Sequence, residues 1–399
     1  MGRKPQQQKT SSPSAGQEAG ETARQARLFS RRTLLCHGAA LTAGGLGMAI
    51  APMLIRPAQA AGPTLNVLTW TGYIPKRFAK TFRKKTGITA NITTVGSNEE
   101  MLSQVTATHG RAWDVISPSV HRMSQWHALN MTQAWDLKKI PNLSNIEPKF
   151  MAMSETWSWN KGQHHLPHVW GTEGIAWRTD RFNGVYGELS LADLWRPEMK
   201  GLVQGRPHSL MSGIGRMLAA KGDLPAFEDA YKDESTMRGI WNDIMKFAVE
   251  HKSWLRAYWH DHESQKTNFT RNGVVIGQCW DGPVIDLAKD DHPVAYLPPK
   301  EGAFAWMDGL ALTAASKHID EAHAFVNALY TAREGARLIN ESGYSSAVQG
   351  TEAYLTKKTK QAVAAAFPEG SLDKLWWWPD EPVWFAGLRN AYRDRYLAA

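Results

Sequence analysis

The sequence predicts an α/β protein with a mostly parallel sheet, preceded by a leader of different character. Three observations lead there. Short apolar or alternating segments alternate with helix-period segments from Thr64 onward. A composition of 43% hydrophobic and 21% charged residues over 399 positions supports a packed core, with length enough for two domains. Residues 1–60 hold eight Lys+Arg and two Asp+Glu, so they carry +6 of the net +8, and the rest of the chain is nearly neutral.

The elements follow in order. Leu65–Thr69 reads as a short apolar strand, and Ile74–Lys85 as a helix with Phe78 and Phe82 one turn apart on one face. Gly87 is placed to stop that helix. Ile88–Val95 alternates like a strand, Asn98–Thr108 repeats like a helix, and Trp113–Ser117 returns to strand. Further strands are expected at Gly174–Arg178, Gly201–Gln204 and Val274–Trp280. Helices are expected at Leu210–Lys221, Met237–Glu250 and Ser316–Ala332. No Pro/Gly-rich linker divides the chain, so a two-domain layout requires the chain to cross back and forth.

The leader reads as an export address. Ser30-Arg31-Arg32-Thr33-Leu34-Leu35 precedes a mildly apolar run, Gly38–Ile55, and Ala58-Gln59-Ala60 fits a small-residue cleavage site. Paired arginines before such a run resemble a twin-arginine signal. The alternative is an uncleaved anchor, but four glycines make the run a poor membrane span. Lipid attachment at Cys36 is disfavoured because that residue precedes the apolar run. Cleavage leaves Cys279 as the one cysteine, which excludes an internal disulfide. The folded part shows no basic stripe, which argues against nucleic acid as a partner.

Several constellations could carry chemistry. All 18 Trp lie beyond the leader, and three stand just past strand ends beside Tyr or Asp: Trp70 in Thr69–Tyr73, Trp280 in Gln278–Gly282 and Trp306 in Ala305–Asp308. Ligands of open α/β sheets collect outside the carboxyl ends of strands, where aromatic faces can hold an apolar stem or a cation. His164, His165 and His168 form one group and His260, His262 and Glu263 another, which would suit a metal-dependent hydrolase only if the groups converged. There is no G-x-S-x-G, H-E-x-x-H or Walker A pattern, and Gly213-Ile214-Gly215 lacks the third glycine of a dinucleotide fingerprint. Cys279 has no His partner assignable to it.

With those residues in view, the chain resembles the periplasmic spermidine/putrescine-binding proteins of ABC importers. The resemblance rests on Leu65–Tyr73 (LNVLTWTGY), Gly87–Glu100 (GITANITTVGSNEE), Trp113–Ser119 (WDVISPS), Pro167–Gly171 (PHVWG), Asp193–Gly201 (DLWRPEMKG), Gly277–Gly282 (GQCWDG) and Pro299–Leu310 (PKEGAFAWMDGL), in that order. It implies a two-lobe periplasmic-binding-protein fold with hinge strands and a ligand cleft between lobes. Residues 61–171 plus 308–352 would form lobe 1, and 172–307 plus 353–399 lobe 2. It further implies a non-catalytic, monomeric receptor without cofactor that takes a small amine ligand to an ABC permease of the inner membrane. The twin-arginine export machinery would deliver it to the periplasm. A signalling receptor for a membrane sensor would share this fold.

Carried over position by position, the resemblance makes Trp70, Thr71 and Tyr73 the first cleft segment and Ser119 a polar cleft position. His121 stands two residues beyond Ser119, near where an aromatic belongs. Trp280 and Trp306 match the aromatic box, Asp308 the amine-holding carboxylate, and Tyr344 a further cleft position; Trp376–Trp378 lie near another contact. The departures are Gly72, where an acid is usual, and the stretch Gly205–Met211, where His208 and Met211 replace an acidic pair and Arg206 stands close by. A buried ammonium needs a carboxylate, whereas Arg favours a ligand carboxylate or phosphate. The expectation is therefore an amine-containing solute, either a polyamine or a zwitterionic amine of amino-acid, opine or betaine type. Asp281 and Glu173 are the candidates to replace the missing acids.

Overall fold

Eight strands carry the main sheet: β1 (Thr64–Trp70), β2 (Thr89–Val95), β3 (Val115–Ile116), β4 (Leu166–Arg178), β5 (Val203–Gly205), β6 (Leu255–Tyr258), β7 (Ile276–Trp280) and β8 (Phe304–Thr313). Their order is β2-β1-β3-β8-β4-β7-β5-β6 within a 12-stranded sheet. β1 runs parallel to β2 and β3 at one end, and β5 runs parallel to β6 and β7 at the other. Between them β4 and β8 are antiparallel to each other and to their outer neighbours. The structure is a computed structural model describing residues 62–160 and 162–399, the side chain of His208 excepted. The leader and its expected cleavage point lie outside the described residues. The described residues form one compact unit.

The helices that matter below are α1 (Phe78–Thr86), α2 (Asn98–Ala107), α3 (Pro207–Lys221), α4 (Glu234–Glu250), α5 (His262–Thr270), α6 (Asp281–Lys289), α7 (Ile319–Leu329), α8 (Ala332–Ser342) and α9 (Val383–Ala398). One core gathers Leu65, Val67, Phe78, Phe82, Phe325 and Val326, with the rings of Phe78 and Phe82 each edge-on to Phe325. A second gathers Ile175, Val203, Ile214, Met237, Trp241, Ile276 and Phe385. The phenylalanines drive α1 because they repeat every four residues, the spacing that aligns side chains on one helix face. Arg83, Lys84 and Lys85 in its last turn suit the negative end of the dipole. Gly87 closes it in the left-handed region, its N–H donating to the Arg83 carbonyl.

Several boundaries differ from the sequence reading, three of them for plain reasons. The first helix begins at Phe78, not Ile74, because Pro75 starts a turn and its carbonyl accepts from Phe78 N–H at 2.8 Å. The strand expected at Gly174–Arg178 is the tail of the 13-residue β4, whose upstream half was masked by His168, Thr172 and Glu173. The helix expected over 316–332 ends at Leu329, where Thr331 leaves helical geometry and its hydroxyl accepts from Glu334 N–H to start α8. The strand expected to stop before Trp306 is instead β8, which holds Trp306 as its third residue: all ten of its residues are buried, so it shows no alternation to read.

Candidate functional site

The carboxyl ends of both parallel strand groups open onto one cleft of about 730 Å³. β1 delivers Trp70 and, through a turn, Tyr73; β2 leads to Gly96 and Asn98; β3 leads to Ser119 and His121. From the other group come Arg206 after β5, Asp261 and His262 after β6, and Trp280 at the end of β7. The central pair adds Glu173 from β4 and Trp306 and Asp308 from β8.

Five rings enclose part of this space. Tyr73 stacks on Trp306 with centroids 6.3 Å apart, and Tyr344 stands edge-on to both at 5.6 Å. Trp280 closes the group, 6.4 Å from each of Trp70, Trp306 and Tyr344. Trp70 is fixed by its indole N–H, which donates to the Ser117 carbonyl at 2.7 Å. Two glycines make the arrangement possible. Gly72 turns the chain between Trp70 and Tyr73 at φ +89°, where a side chain would be strained and would press on Ser342. Gly343, at φ +78°, ends α8 against Gly282 and aims Tyr344 inward. Its added Cβ would overlap the Gly282 carbonyl oxygen, so Gly343→Ala is expected to cost about 2 kcal/mol. Denaturant titration checks this, with a change below about 0.5 kcal/mol as the contrary result.

Asp308 is the carboxylate among these rings. Tyr73 donates its hydroxyl hydrogen to Asp308 Oδ2, while Oδ1 is buried without a hydrogen bond. Burial pushes its carboxyl up to about 7, against relief from Ser119, Tyr73 and the Arg206 charge. A register shift between Asp308 and Gly309 interrupts the β8–β4 ladder at this point, the kind of irregularity that re-aims a side chain. Ser119 is held beside it, bridging to Asp308 through the backbone and receiving Asn98 Nδ2 at 2.9 Å.

Asp281 sits elsewhere. It is the first residue of α6 and fully buried, and its Oδ2 accepts from the backbone N–H (3.0 Å) and hydroxyl (3.1 Å) of Thr172. It does not line the cleft, although burial raises its carboxyl to about 7 as well. The acid that does reach the cleft wall is Glu173, which accepts from Gln278 Nε2 at 2.8 Å and is raised by burial. Thr71 and His121 line the cleft, His121 stacked on Trp378 with centroids 5.9 Å apart. Burial, then the charges of Arg122 and Arg389, hold the His121 imidazole well below its ordinary range. His208 begins α3, but its side chain lies outside the described residues; Met211 is buried in the core.

The histidine groups have separate partners. His164 pairs with Thr132, His165 with Ser154, and His168 donates to the Tyr73 carbonyl. Burial lowers His165 and His168 to about 4. His262 faces Asp286 at 3.5 Å. Among the described residues no three His, Cys, Asp or Glu side chains converge as a metal site. Gly213 and Gly215 lie inside α3, and Cys279 is a buried thiol raised well above its usual range, so neither carries the chemistry its motif suggested.

A charged quartet at the cleft wall escaped the sequence reading. Arg122 contacts Glu99 (2.9 Å) and Glu381 (3.3 Å), and Arg389 contacts the same two acids (2.6 and 2.8 Å). Arg122, Arg389 and Glu381 are buried, and three separate chain segments meet here. Glu99 lies in the Gly87–Glu100 stretch, which entered the sequence reading only as part of the family resemblance.

Comparison with known proteins agrees with this geometry. The profile of the family described as bacterial extracellular solute-binding protein matches residues 77–367. The spermidine/putrescine-binding periplasmic protein 1 of Haemophilus influenzae is 27% identical over 81% of this chain and 85% of its own length. The spermidine/putrescine-binding periplasmic protein of Escherichia coli is 26% identical over 70% of this chain and 76% of its own. Among solved structures, a putative spermidine/putrescine ABC transporter protein from Listeria monocytogenes superposes with a TM-score of 0.72 at 19% identity, covering 84% of this chain and 99% of that one. The fold is thus the mixed α/β periplasmic-binding-protein fold. The chain belongs to the bacterial extracellular solute-binding protein family, as a non-enzymatic solute-binding component of an ABC transporter distantly homologous to the spermidine/putrescine-binding periplasmic proteins.

Proposed function

We propose that this protein captures a small amine-bearing solute in the aromatic cleft and presents it to an ABC permease of the inner membrane. The carrying observation is Asp308: a buried carboxylate with one oxygen free, ringed by Tyr73, Trp280, Trp306 and Tyr344. Such a group is costly until a cation reaches it, and the ring faces add cation–π attraction. The named specificity of the curated relatives supports a polyamine. Arg206 supports a second reading, a zwitterionic amine, because it stands buried at the cleft and forms no ion pair with a carboxylate among the described residues. Trp70, Thr71, Tyr73, Ser119, His121, Trp280, Trp306, Asp308 and Tyr344 are the proposed contacts. In this reading residues 61–171 plus 308–352 close as one lobe on 172–307 plus 353–399, with β4 and β8 crossing between them. A cleaved twin-arginine leader brings the monomer to the periplasm.

Thermal unfolding against polyamines, amino acids, betaines and opine-type zwitterions tests this, since a ligand that binds only the folded state raises the midpoint. An amine shifting it by several degrees is the expected result. A response to neutral sugars alone would overturn it.

Binding is also expected to depend on pH. An ammonium needs Asp308 ionised, and in the empty cleft its carboxyl titrates at about 7. Below that pH binding must expel a proton, so affinity falls toward tenfold per pH unit, and it levels off above about pH 7.5. Around Asp308, Tyr73 and Tyr344 are raised far above this window, Arg206 stays charged and His168 is lowered to about 4, while burial raises Glu173 as well. Asp281 shares the range from behind the wall. Calorimetry in buffers of different ionisation heat reads the released proton, and a flat affinity from pH 5 to 8 is the contrary result.

A further inference from the structure

We propose that Arg206 is a built-in cation standing where a second ligand ammonium would have to lie, so that the cleft selects solutes with a single cationic group. The inference rests on the amine reading above and narrows its substrate class.

The position comes from the fold. Arg206 follows β5 directly and caps α3, where Pro207 fixes the turn into the helix. Its guanidinium carbon lies 4.9 Å from the centre of the Trp280 ring and 5.8 Å from that of Trp259. Trp280 is one of the five rings of the box, and Arg206 has already taken a cation's place over it. Nη2 donates to the Gly96 carbonyl at 2.8 Å, which ties the side chain to the loop after β2. Only 8% of the residue is exposed.

The charges then decide the class. The quartet of Glu99, Arg122, Glu381 and Arg389 balances itself. Asp261 is engaged at the start of α5, accepting from Ser264 N–H at 2.7 Å. Glu173, Asp308 and Arg206 remain, and the Arg206 charge acts on both acids, favouring their ionised forms. Glu173 is already bonded to Gln278. Asp261 keeps its charge at the start of α5, so beside Trp280 and Asp308 the guanidinium offsets one of the two remaining acids. A diammonium chain anchored on Asp308 would place its far end beside a guanidinium, in a site screened from water where repulsion is strong. A chain ending in a hydroxyl or a carboxylate meets no such repulsion, and a carboxylate would gain the guanidinium as a partner.

A matched series tests this on the purified full chain: the monoamine, amino alcohol, ω-amino acid and diamine of each chain length from propyl to hexyl, titrated calorimetrically. For the wild type, at least one singly cationic member should bind about tenfold or more tighter than the diamine of equal length. Arg206→Met should raise diamine affinity about 100-fold relative to the wild type, while Arg206→Lys, which keeps the charge, should preserve the discrimination. Near-UV circular dichroism and unfolding midpoints establish that each variant is folded. If the ω-amino acid binds best and alone weakens in Arg206→Met, the far end of the ligand is a carboxylate, within the same class. Diamine binding to the wild type as tight as that of its singly cationic partners would overturn the proposal and leave the amine reading standing. So would an Arg206→Met protein, shown to be folded, with no gain for diamines. If no amine of any length binds wild type or variant, the amine reading fails, and this proposal with it.

Discussion

Replacing Asp308 with Asn is expected to lower affinity for the best-bound amine at least 100-fold and, at pH 8, to make the ligand-free protein more stable. The two effects share one cause. The side chain is 4% exposed and lacks a partner for Oδ1, so its charged form is poorly solvated until a cation arrives. Its folded-state pKa of about 7 lies above the ordinary 3.8, so the native state holds this proton more tightly than the unfolded chain does. The associated stability is fully present below about pH 3.8 and is lost as pH rises through 7. At pH 8 the loss amounts to about 4 kcal/mol by the usual 1.36 kcal/mol per pKa unit, and Asn escapes it. Unfolding midpoints with and without amine check both halves. An Asn variant that binds like the wild type would move the cation site away from Asp308.

Removal of Glu381 is the second large effect. Its carboxylate is fully buried between Arg122 and Arg389, its N–H donates to the His121 carbonyl, and its own carbonyl accepts from Ser124 Oγ at 2.7 Å. Glu381→Ala leaves two buried guanidiniums with Glu99 alone, and breaking such a pair typically costs 3–5 kcal/mol. A loss of about that size is expected in denaturant titration, with weaker ligand binding because the segment before α9 walls the cleft. Glu381→Gln, which keeps the shape and one acceptor, should fall between the two. A loss under 1 kcal/mol for the alanine variant would show that the quartet contributes little beyond position.

Much of the architecture was readable because its signals are local. Phe78 and Phe82 declare a helix face, and Gly87 declares its end. Trp70 and Trp280 end parallel strands, so their meeting in one cleft follows once the sheet is parallel at both ends, whereas Trp306 lies near the start of β8. Other features depend on chemistry that chain order hides. Asp281 and Asp308 each follow a cleft Trp within two residues and look equivalent in the sequence. Asp281 opens a helix, however, and turns to the Thr172 N–H, while Asp308 stays in an irregular strand and faces the rings. Arg122, Glu381 and Arg389 resemble ordinary surface charges until their segments meet. β8 conceals itself differently, since a strand covered on both faces has no polar side to mark its period.

The pairing of β3 with β8 has a consequence for how the molecule comes into being. Val115 and Ile116 find their neighbours at Leu312 and Ala311, and Phe78 and Phe82 pack on Phe325. The core built on Phe78 and Phe82 is therefore completed by chain made long after its first strands. Its early strands must wait with one edge bare until that stretch is made, and contacts so distant in sequence form slowly. A holdase that binds the waiting edge of β3 should therefore delay folding far more than one that binds near β6.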